Sequence, residues 1–304
     1  VSAHFTKADL AVIRRAFAAQ ILAVAGVRDN RALEEAFASV PRERFVGRPP
    51  WQIVGRKGYR PVVSHDPVVL YQDINFALAP RRGVNNGSPV LHAMWLDALG
   101  PLTGARVVHI GAGTGYYSAL LSRLVGDMGH VLAVEYDTKL LERAERNLAG
   151  YENVSLVSGD GASLAFEPVD AVYVNFAVGR PADGWIEGLL PGGRLIFPLG
   201  QPGRRRGTSG GRHADGAGFR IERTSSGFAA TCLGSAFFVC AEGVLAPAVA
   251  DDEALKAAFE TGGAQFVRSL RWNEPPSTER SRFVGSGWSL SYDEPGVENP
   301  APAD

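Results

Sequence analysis

Arg106-Val-Val-His-Ile-Gly-Ala-Gly-Thr-Gly-Tyr-Tyr-Ser-Ala-Leu-Leu-Ser-Arg-Leu124 is the stretch on which the fold turns. Val107 to Ile110 are mostly apolar and β-favouring, and they run directly into glycines at 111, 113 and 115. A helical pattern with Leu120, Leu121 and Leu124 on one side follows at once. A buried strand, a glycine turn and a helix make half of a nucleotide-binding βαβ unit. Glycines let a ligand approach the backbone, and the first turn of the helix offers unpaired N–H groups. The spacing is G-x-G-x-G; Tyr116 stands where a dinucleotide fingerprint needs its third glycine. The same turn also serves as a plain strand-to-helix corner, so the motif needs support from its surroundings.

Support comes from the strands that follow. His130-Val-Leu-Ala-Val-Glu135 is a second strand, and it ends in an acid 24 residues beyond Gly111. A carboxylate at that strand end can accept both hydroxyls of a ribose, where a surface glutamate would be the plainer reading. A helix from about Thr138 to Leu148 turns Leu140, Leu141, Ala144 and Leu148 inward. Asn153 to Val157 is the third strand, and Gly159-Asp160-Gly161 follows it. Asp160 there can face an adenine amino group, although Asp-Gly also makes ordinary turns. Val169 to Asn175 is the fourth strand; a helix with Trp185, Leu189 and Leu190 is expected to stop at Pro191-Gly-Gly193, before a fifth strand, Arg194 to Pro198.

Residues 200 to 217, with Arg204 to Arg206 among glycines and serines, read as a solvated loop or, alternatively, as a grip on an anionic substrate. Phe219 to Arg223 and Phe228 to Cys232 form a hairpin around Ser226-Gly227, and Ser235 to Cys240 reads as a further strand. A helix from Asp252 to Thr261, a Trp-containing segment (Arg271-Trp272, Gly287 to Leu290) and a disordered acidic, Pro-rich tail close the chain.

Upstream, Thr6 with Asp9 caps a first helix carrying Leu10, Ile13, Phe17 and Ile21, and a second helix spans Asn30 to Ser39. Residues 47 to 84 read as an irregular excursion in which Val68 to Phe76 forms a short strand pair. Ser88-Pro89 is the N-cap and first-turn proline of a helix carrying Val90, Leu91, Met94, Trp95 and Leu99. The expected architecture is α/β: a doubly wound, mostly parallel sheet with antiparallel C-terminal strands. It divides into N-terminal helices and excursion (1–84), a core (85–245) and a C-terminal appendage (246–304).

Composition sets limits. The 304 residues are 45% apolar and 21% charged with a formal net charge of −1, which gives no hint of a nucleic-acid or membrane partner. No apolar run approaches a membrane span, and no signal peptide is visible at Val1-Ser-Ala-His-Phe5. Cys232 and Cys240 read as buried free thiols of a cytoplasmic protein, and the six scattered histidines form no metal site.

Several ordered motifs resemble the protein-L-isoaspartate O-methyltransferase family of S-adenosylmethionine enzymes. They are Val40-Pro-Arg-Glu-Arg-Phe-Val46, Tyr71-Gln-Asp73, His92-Ala93, His109 to Tyr116, Gly159-Asp-Gly161, Pro191 to Pro198 and Phe237-Phe-Val239, together covering about residues 8 to 242. The resemblance implies a class I methyltransferase fold and S-adenosylmethionine as cofactor. It implies that Gly111, Ala112, Gly113 and Gly115 wrap the methionine part, Glu135 and Tyr136 meet the ribose, and Asp160 with Gly161 holds the adenine. His92 matches a histidine near the cofactor in some members; a plain helix-face histidine is the other reading.

Two departures stand out. His109 occupies a position where the family usually has an acid that orients the methionine amino group, which implies either a lower cofactor affinity or substitution by another acid, with Asp73 as the candidate. The family's Thr-Ile-Ser substrate loop is Asn85-Asn86-Gly87 here, unless Ser88 shifts by one position.

A carboxylate acceptor is already ionised and needs no general base, which suits a sequence without an acid–base dyad. The expected activity is therefore carboxyl O-methylation of a protein or peptide, with Asn85, Asn86 and Ser88 on the acceptor. The alternatives are a small-molecule or modified-peptide acceptor, and a cofactor-binding module without catalysis. Nucleic-acid methylation is disfavoured, because Asn175-Phe-Ala-Val178 replaces the Asn/Asp-Pro-Pro-aromatic motif that it needs.

Overall fold

The computed structural model describes residues 5–55, 58–202, 213–245, 249–276 and 279–297. The chain divides into two units, one running to Gly161 and the other from Ala162 onward apart from 204–212. Arg204 to Arg206 and the tail from residue 298 lie outside the described residues.

In the first unit, α1 (Lys7–Ala25) opens on the expected capping box: the Thr6 hydroxyl accepts from Asp9 N at 3.2 Å and the Asp9 carboxylate accepts from Thr6 N at 2.8 Å. Asn30 caps α2 (Arg31–Ser39) by accepting from Leu33 N. Phe17 and Phe37 lock the two helices edge-on at 6.3 Å. Next comes the short α3 (Arg42–Val46).

The described residues of the excursion form defined elements, and the expected strand pair within Val68–Phe76 is absent. Pro67–Leu70 is instead a single 3₁₀ turn capped by the Asp66 side chain on Val68 N. The reason is local. Pro67 fixes φ for a first helical turn, and the buried Arg42 guanidinium takes the carbonyls of Leu70, Gln72 and Ile74 at 2.5, 2.6 and 2.9 Å, so they cannot enter a ladder. The strand pairs lie on either side: β1 (Gln52–Gly55) with β2 (Gly58–Pro61), and β3 (Ala77–Ala79) with β4 (Val84–Asn85), both antiparallel. Val46, Trp51, Leu70 and Phe76 form a small hydrophobic core under them.

After α4 (Pro89–Leu99) come β5 (Arg106–Ile110), α5 (Tyr116–Val125), β6 (His130–Glu135), α6 (Thr138–Leu148) and β7 (Val154–Ser158). β5 pairs parallel with β6, and β6 with β7, as the alternating pattern predicts. Leu140, Ala144 and Leu148 are the buried stripe of α6.

The second unit contains β8 (Val169–Val174), α7 (Asp183–Glu187), β9 (Leu189–Pro202), β10 (His213–Thr224), β11 (Gly227–Val239), α8 (Val249–Glu260), β12 (Ser269–Trp272), β13 (Ser281–Gly285) and β14 (Trp288–Ser291). β8 and β9 pair parallel; β9 through β12, with β14 and β13, pair antiparallel in the order β9-β10-β11-β12-β14-β13. This matches the expected fold class.

Two elements of this unit differ from the sequence expectation. Pro191-Gly-Gly193 does not stop a helix: α7 ends at Glu187, and Leu189 and Leu190 already belong to β9. The Pro-Gly-Gly signal marks a ladder irregularity, since the β8–β9 register jumps from Val169↔Leu189 to Ala171↔Arg194, with Gly192 at φ 76°. Likewise, Phe228–Cys232 and Ser235–Val239 are one strand, interrupted where the register passes from Ala217↔Ser235 to Phe219↔Cys232 around Gly234 at φ 95°.

Cys232 and Cys240 are half-buried where full burial was expected. Among the described residues no helix is long and apolar enough to cross a membrane, and no His/Cys/Asp/Glu group is arranged for a metal.

Candidate active site

The loop leaving β5 has Gly111, Gly113 and Gly115 at φ 80°, 60° and 92°, a region L side chains rarely adopt. Gly111 N and Ala112 N both donate to Val134 O, at 2.9 and 3.0 Å, which ties the loop to β6. The glycines serve different ends. A Cβ on Gly115 would press on Leu148 at 2.9 Å, so that glycine lets α6 pack closely. A Cβ on Gly113 would meet only Leu78, at 3.6 Å.

Glu135, the last residue of β6, is 7% exposed. Its carboxylate accepts from Gly113 N at 2.6 Å through Oε2 and from Asp137 N at 2.9 Å through Oε1. It therefore spans the glycine loop and the turn beyond its own strand. Tyr136 beside it is exposed. Asp160 and Gly161 follow β7, and a Cβ on Gly161 would fall inside the side chain of Ile110, the last residue of β5. The glycine loop, Glu135 and Asp160-Gly161 thus gather at the carboxyl ends of three parallel strands, where open α/β sheets bind ligands. A cradle that a Cβ would fill, with a buried carboxylate across it, fits a ribose-bearing cofactor.

His109 and His92 are both buried. The His109 Nδ1 lies 2.8 Å from Ser118 Oγ, and burial pulls its pKa down to about 3. The imidazole is neutral at neutral pH and supplies no substitute for a carboxylate. His92 stacks on Tyr117 with ring centroids 3.6 Å apart, and burial, then His109 and Arg42, hold its pKa well below the ordinary histidine value. It supports Gly87, whose Cβ position its ring occupies.

The three residues expected to face the acceptor are brought together but differ in what they have left to offer. Ser88 donates its hydroxyl to Asp73 Oδ1 at 2.7 Å while accepting from Leu91 N at 3.2 Å, so it is the helix cap. Asp73 also accepts from Val90 N, which engages it at the α4 N-terminus. Asn85 Oδ1 accepts from Gly87 N at 2.9 Å and its Nδ2 meets Tyr59 OH at 3.3 Å. Asn86 exchanges two bonds with Phe76: its Oδ1 accepts from Phe76 N at 2.7 Å, and its backbone N donates to Phe76 O at 3.0 Å. Its Nδ2 is buried with no hydrogen-bond partner among the described residues.

Sequence reading missed the residues that hold this arrangement in place. Arg42 fixes the 70–74 backbone that carries Asp73. Arg143 of α6 donates to Leu78 O and Val46 O, each at 3.0 Å, and so fastens β3 next to the glycine loop. Arg82, in the β3–β4 connection, forms an ion pair with Asp137. Only two carried a readable signal: Asp137 precedes Thr138 as an N-cap should, and Arg42 shares the i, i+3, i+4 face of Phe45 and Val46.

Known proteins resemble this chain in sequence and fold. A family model described as protein-L-isoaspartate(D-aspartate) O-methyltransferase matches residues 18–223, more than half of the chain. A Thermotoga maritima protein-L-isoaspartate O-methyltransferase is 36% identical over 185 residues, which cover 59% of this chain and 53% of the relative. The chain thus spans about half the length of that relative. A Methanothrix thermoacetophila protein of the same name is 35% identical over 170 residues, covering 55% of this chain and 72% of the relative. A solved protein-L-isoaspartate O-methyltransferase structure aligns at a TM-score of 0.61 with 27% identity, over 86% of this chain and 72% of that one. The fold is that of the class I S-adenosylmethionine methyltransferases. The chain belongs to the protein-L-isoaspartate O-methyltransferase family.

Proposed function

We propose that this protein methylates a carboxylate of a protein or peptide, with the isoaspartyl side group as first candidate, using S-adenosylmethionine. The observation that carries the reading is the Glu135 carboxylate held on Gly113 N, at the head of a loop of three positive-φ glycines. When bound, S-adenosylmethionine supplies an electrophilic methyl on sulfur. The residues of the chain bind, orient and exclude water. Gly111, Ala112, Gly113 and Gly115 take the methionine end, Glu135 and Tyr136 the ribose, and Asp160 with Gly161 the adenine, with His92 behind the acceptor loop. The acceptor oxygen must lie about 3 Å from the methyl carbon in line with the departing sulfur, so position and desolvation are what the protein provides.

Asn86 is an acceptor-side residue with capacity to spare, because its Nδ2 is a buried donor without a partner among the described residues. Such a donor costs about 1–3 kcal/mol until something accepts from it. An acceptor carboxylate would do so. With Ser88 committed to Asp73, an amide takes the part that a hydroxyl would otherwise play. That substitution also favours a second reading, in which the acceptor is a carboxylate of a small molecule or of a modified peptide. A chain of 304 residues with only two cysteines suits a reducing compartment, and we place the protein in the cytoplasm.

Calorimetry with S-adenosylhomocysteine and a methyl-transfer assay on an isoaspartyl hexapeptide, beside its aspartyl counterpart and a panel of small acids, test the proposal. Micromolar binding and methylation of the isoaspartyl peptide alone are expected. Absence of binding, or a Gly113→Val variant that binds as well as wild type, refutes it. Turnover confined to other acids moves the acceptor to the second reading.

A further inference from the structure

The β3–β4 hairpin is fastened to the cofactor side of the site at three points. Leu78 lies beside Gly113. Arg143 holds the Leu78 carbonyl at 3.0 Å. Arg82 pairs with Asp137. Asp137 in turn donates its backbone N–H to Glu135 Oε1 at 2.9 Å, while its own side chain accepts from Lys139 N and Leu140 N at 2.7 and 2.9 Å. The turn that shapes the Glu135 carboxylate is therefore pinned by α6 on one side and by Arg82 on the other. At its far end the same hairpin runs into Asn85 and Asn86, with Asn85 held by Gly87 N and Tyr59 OH. One short element thus touches both halves of the proposed site.

We propose that Arg82 is a positioning residue for Glu135: through Asp137 it fixes the turn that presents the carboxylate to the cofactor, and so couples the acceptor loop to cofactor binding. The inference rests on the reading of Glu135 as the ribose acceptor. The Arg82 side chain is 39% exposed and that of Asp137 14%, so the pair is partly screened and its worth is modest. An interaction of about 1 kcal/mol corresponds to roughly a five-fold change in affinity.

The experiment uses the full chain in two measurements. Calorimetry gives S-adenosylhomocysteine affinity for wild type, Arg82→Gln, Arg82→Lys, Asp137→Asn and the double variant Arg82→Gln/Asp137→Asn. Asp137→Asn keeps an acceptor for the α6 cap while removing the charge. Amide hydrogen exchange on the ligand-free proteins follows Gly113 N and Asp137 N. The expected result is weakening of about five-fold for Arg82→Gln and for Asp137→Asn, no further loss in the double variant, and recovery of most of it with Arg82→Lys. Exchange at the two amides should rise in Arg82→Gln, with β5 and α5 unchanged. Unchanged exchange at those amides, a rise spread through β5 and α5, or losses that multiply in the double variant overturns the proposal. Wild-type protein that fails to bind S-adenosylhomocysteine sinks the assignment of function instead, and the exchange measurement still decides whether Arg82 fixes the turn.

Discussion

The imidazole of His92 occupies the space in which a Cβ on Gly87 would have to sit, and Gly87 is at φ 72°. Gly87→Ala therefore meets two obstacles, a left-handed backbone and a ring that is itself stacked on Tyr117. We expect a loss of about 1–3 kcal/mol in stability, read as a lower denaturant midpoint at unchanged slope. A Gly87→Ala protein as stable as wild type would mean that the loop can leave the ring at no cost.

Burial of His109 and His92 predicts acid sensitivity, and its sign is fixed. Both pKa values are depressed in the folded chain, that of His109 to about 3. Unfolded histidines take up protons near pH 6.5, so below that value protonation favours the unfolded chain, and stability falls until the folded pKa is reached. Each buried histidine contributes a slope of up to about 1.4 kcal/mol per pH unit. Urea midpoints at pH 7, 6 and 5 should therefore fall in wild type, and the fall should be shallower by close to one proton in His109→Gln. Parallel pH profiles for the two proteins would remove His109 as a cause.

The alternation of strands and helices around the glycine loop was legible because each signal was local. Val107 to Ile110, Gly111 to Gly115 and the stripe Leu140, Ala144 and Leu148 fix their elements without knowledge of distant partners. The misreadings arose where one signal has two structural meanings. Pro191-Gly-Gly193 can end a helix or kink a strand, and the neighbouring pairing with β8 decides for the strand. Val68 to Phe76 looks like a strand pair until Arg42 claims its carbonyls. The candidate site shows the same limit. Ser88 was readable as a cap from Pro89 beside it, whereas nothing near Arg82 in sequence announces Asp137, whose link to it is tertiary.

Arg42 is fully buried and has no carboxylate partner among its described hydrogen bonds; three carbonyls and the rings of Phe17 and Phe76, at 5.7 and 5.5 Å, surround it. Burial lowers its pKa from the ordinary arginine value. Arg42 reaches the three carbonyls from two separate nitrogens, and a single ammonium nitrogen cannot occupy both places, so Arg42→Lys should cost about 2–4 kcal/mol and Arg42→Ala more. Thermal melts measure the loss, and a transition temperature for Arg42→Lys within a degree of wild type would show that the fork is dispensable.

Asn86→Asp separates the two functions of one side chain. The amide oxygen accepts from Phe76 N, and a carboxylate oxygen can do the same, so the 76–86 connection should survive. What changes is the other atom: the Nδ2 donor becomes an oxygen, negative at neutral pH if the carboxyl ionises. A carboxylate acceptor approaching that point would meet repulsion in place of a hydrogen bond. A lost bond to a charged group and a gained repulsion together should lower kcat/KM for the acceptor by about a hundred-fold or more. Affinity for S-adenosylhomocysteine should stay within about two-fold, since Asn86 is assigned no part in holding the cofactor. Asn86→Ala is the necessary companion, because it removes the donor without adding charge, and a milder loss is expected of it. If Asn86→Asp methylates the isoaspartyl peptide as fast as wild type, the buried Nδ2 has no role in acceptor binding. If both variants lose cofactor affinity in step with activity, Asn86 acts through the fold of the loop.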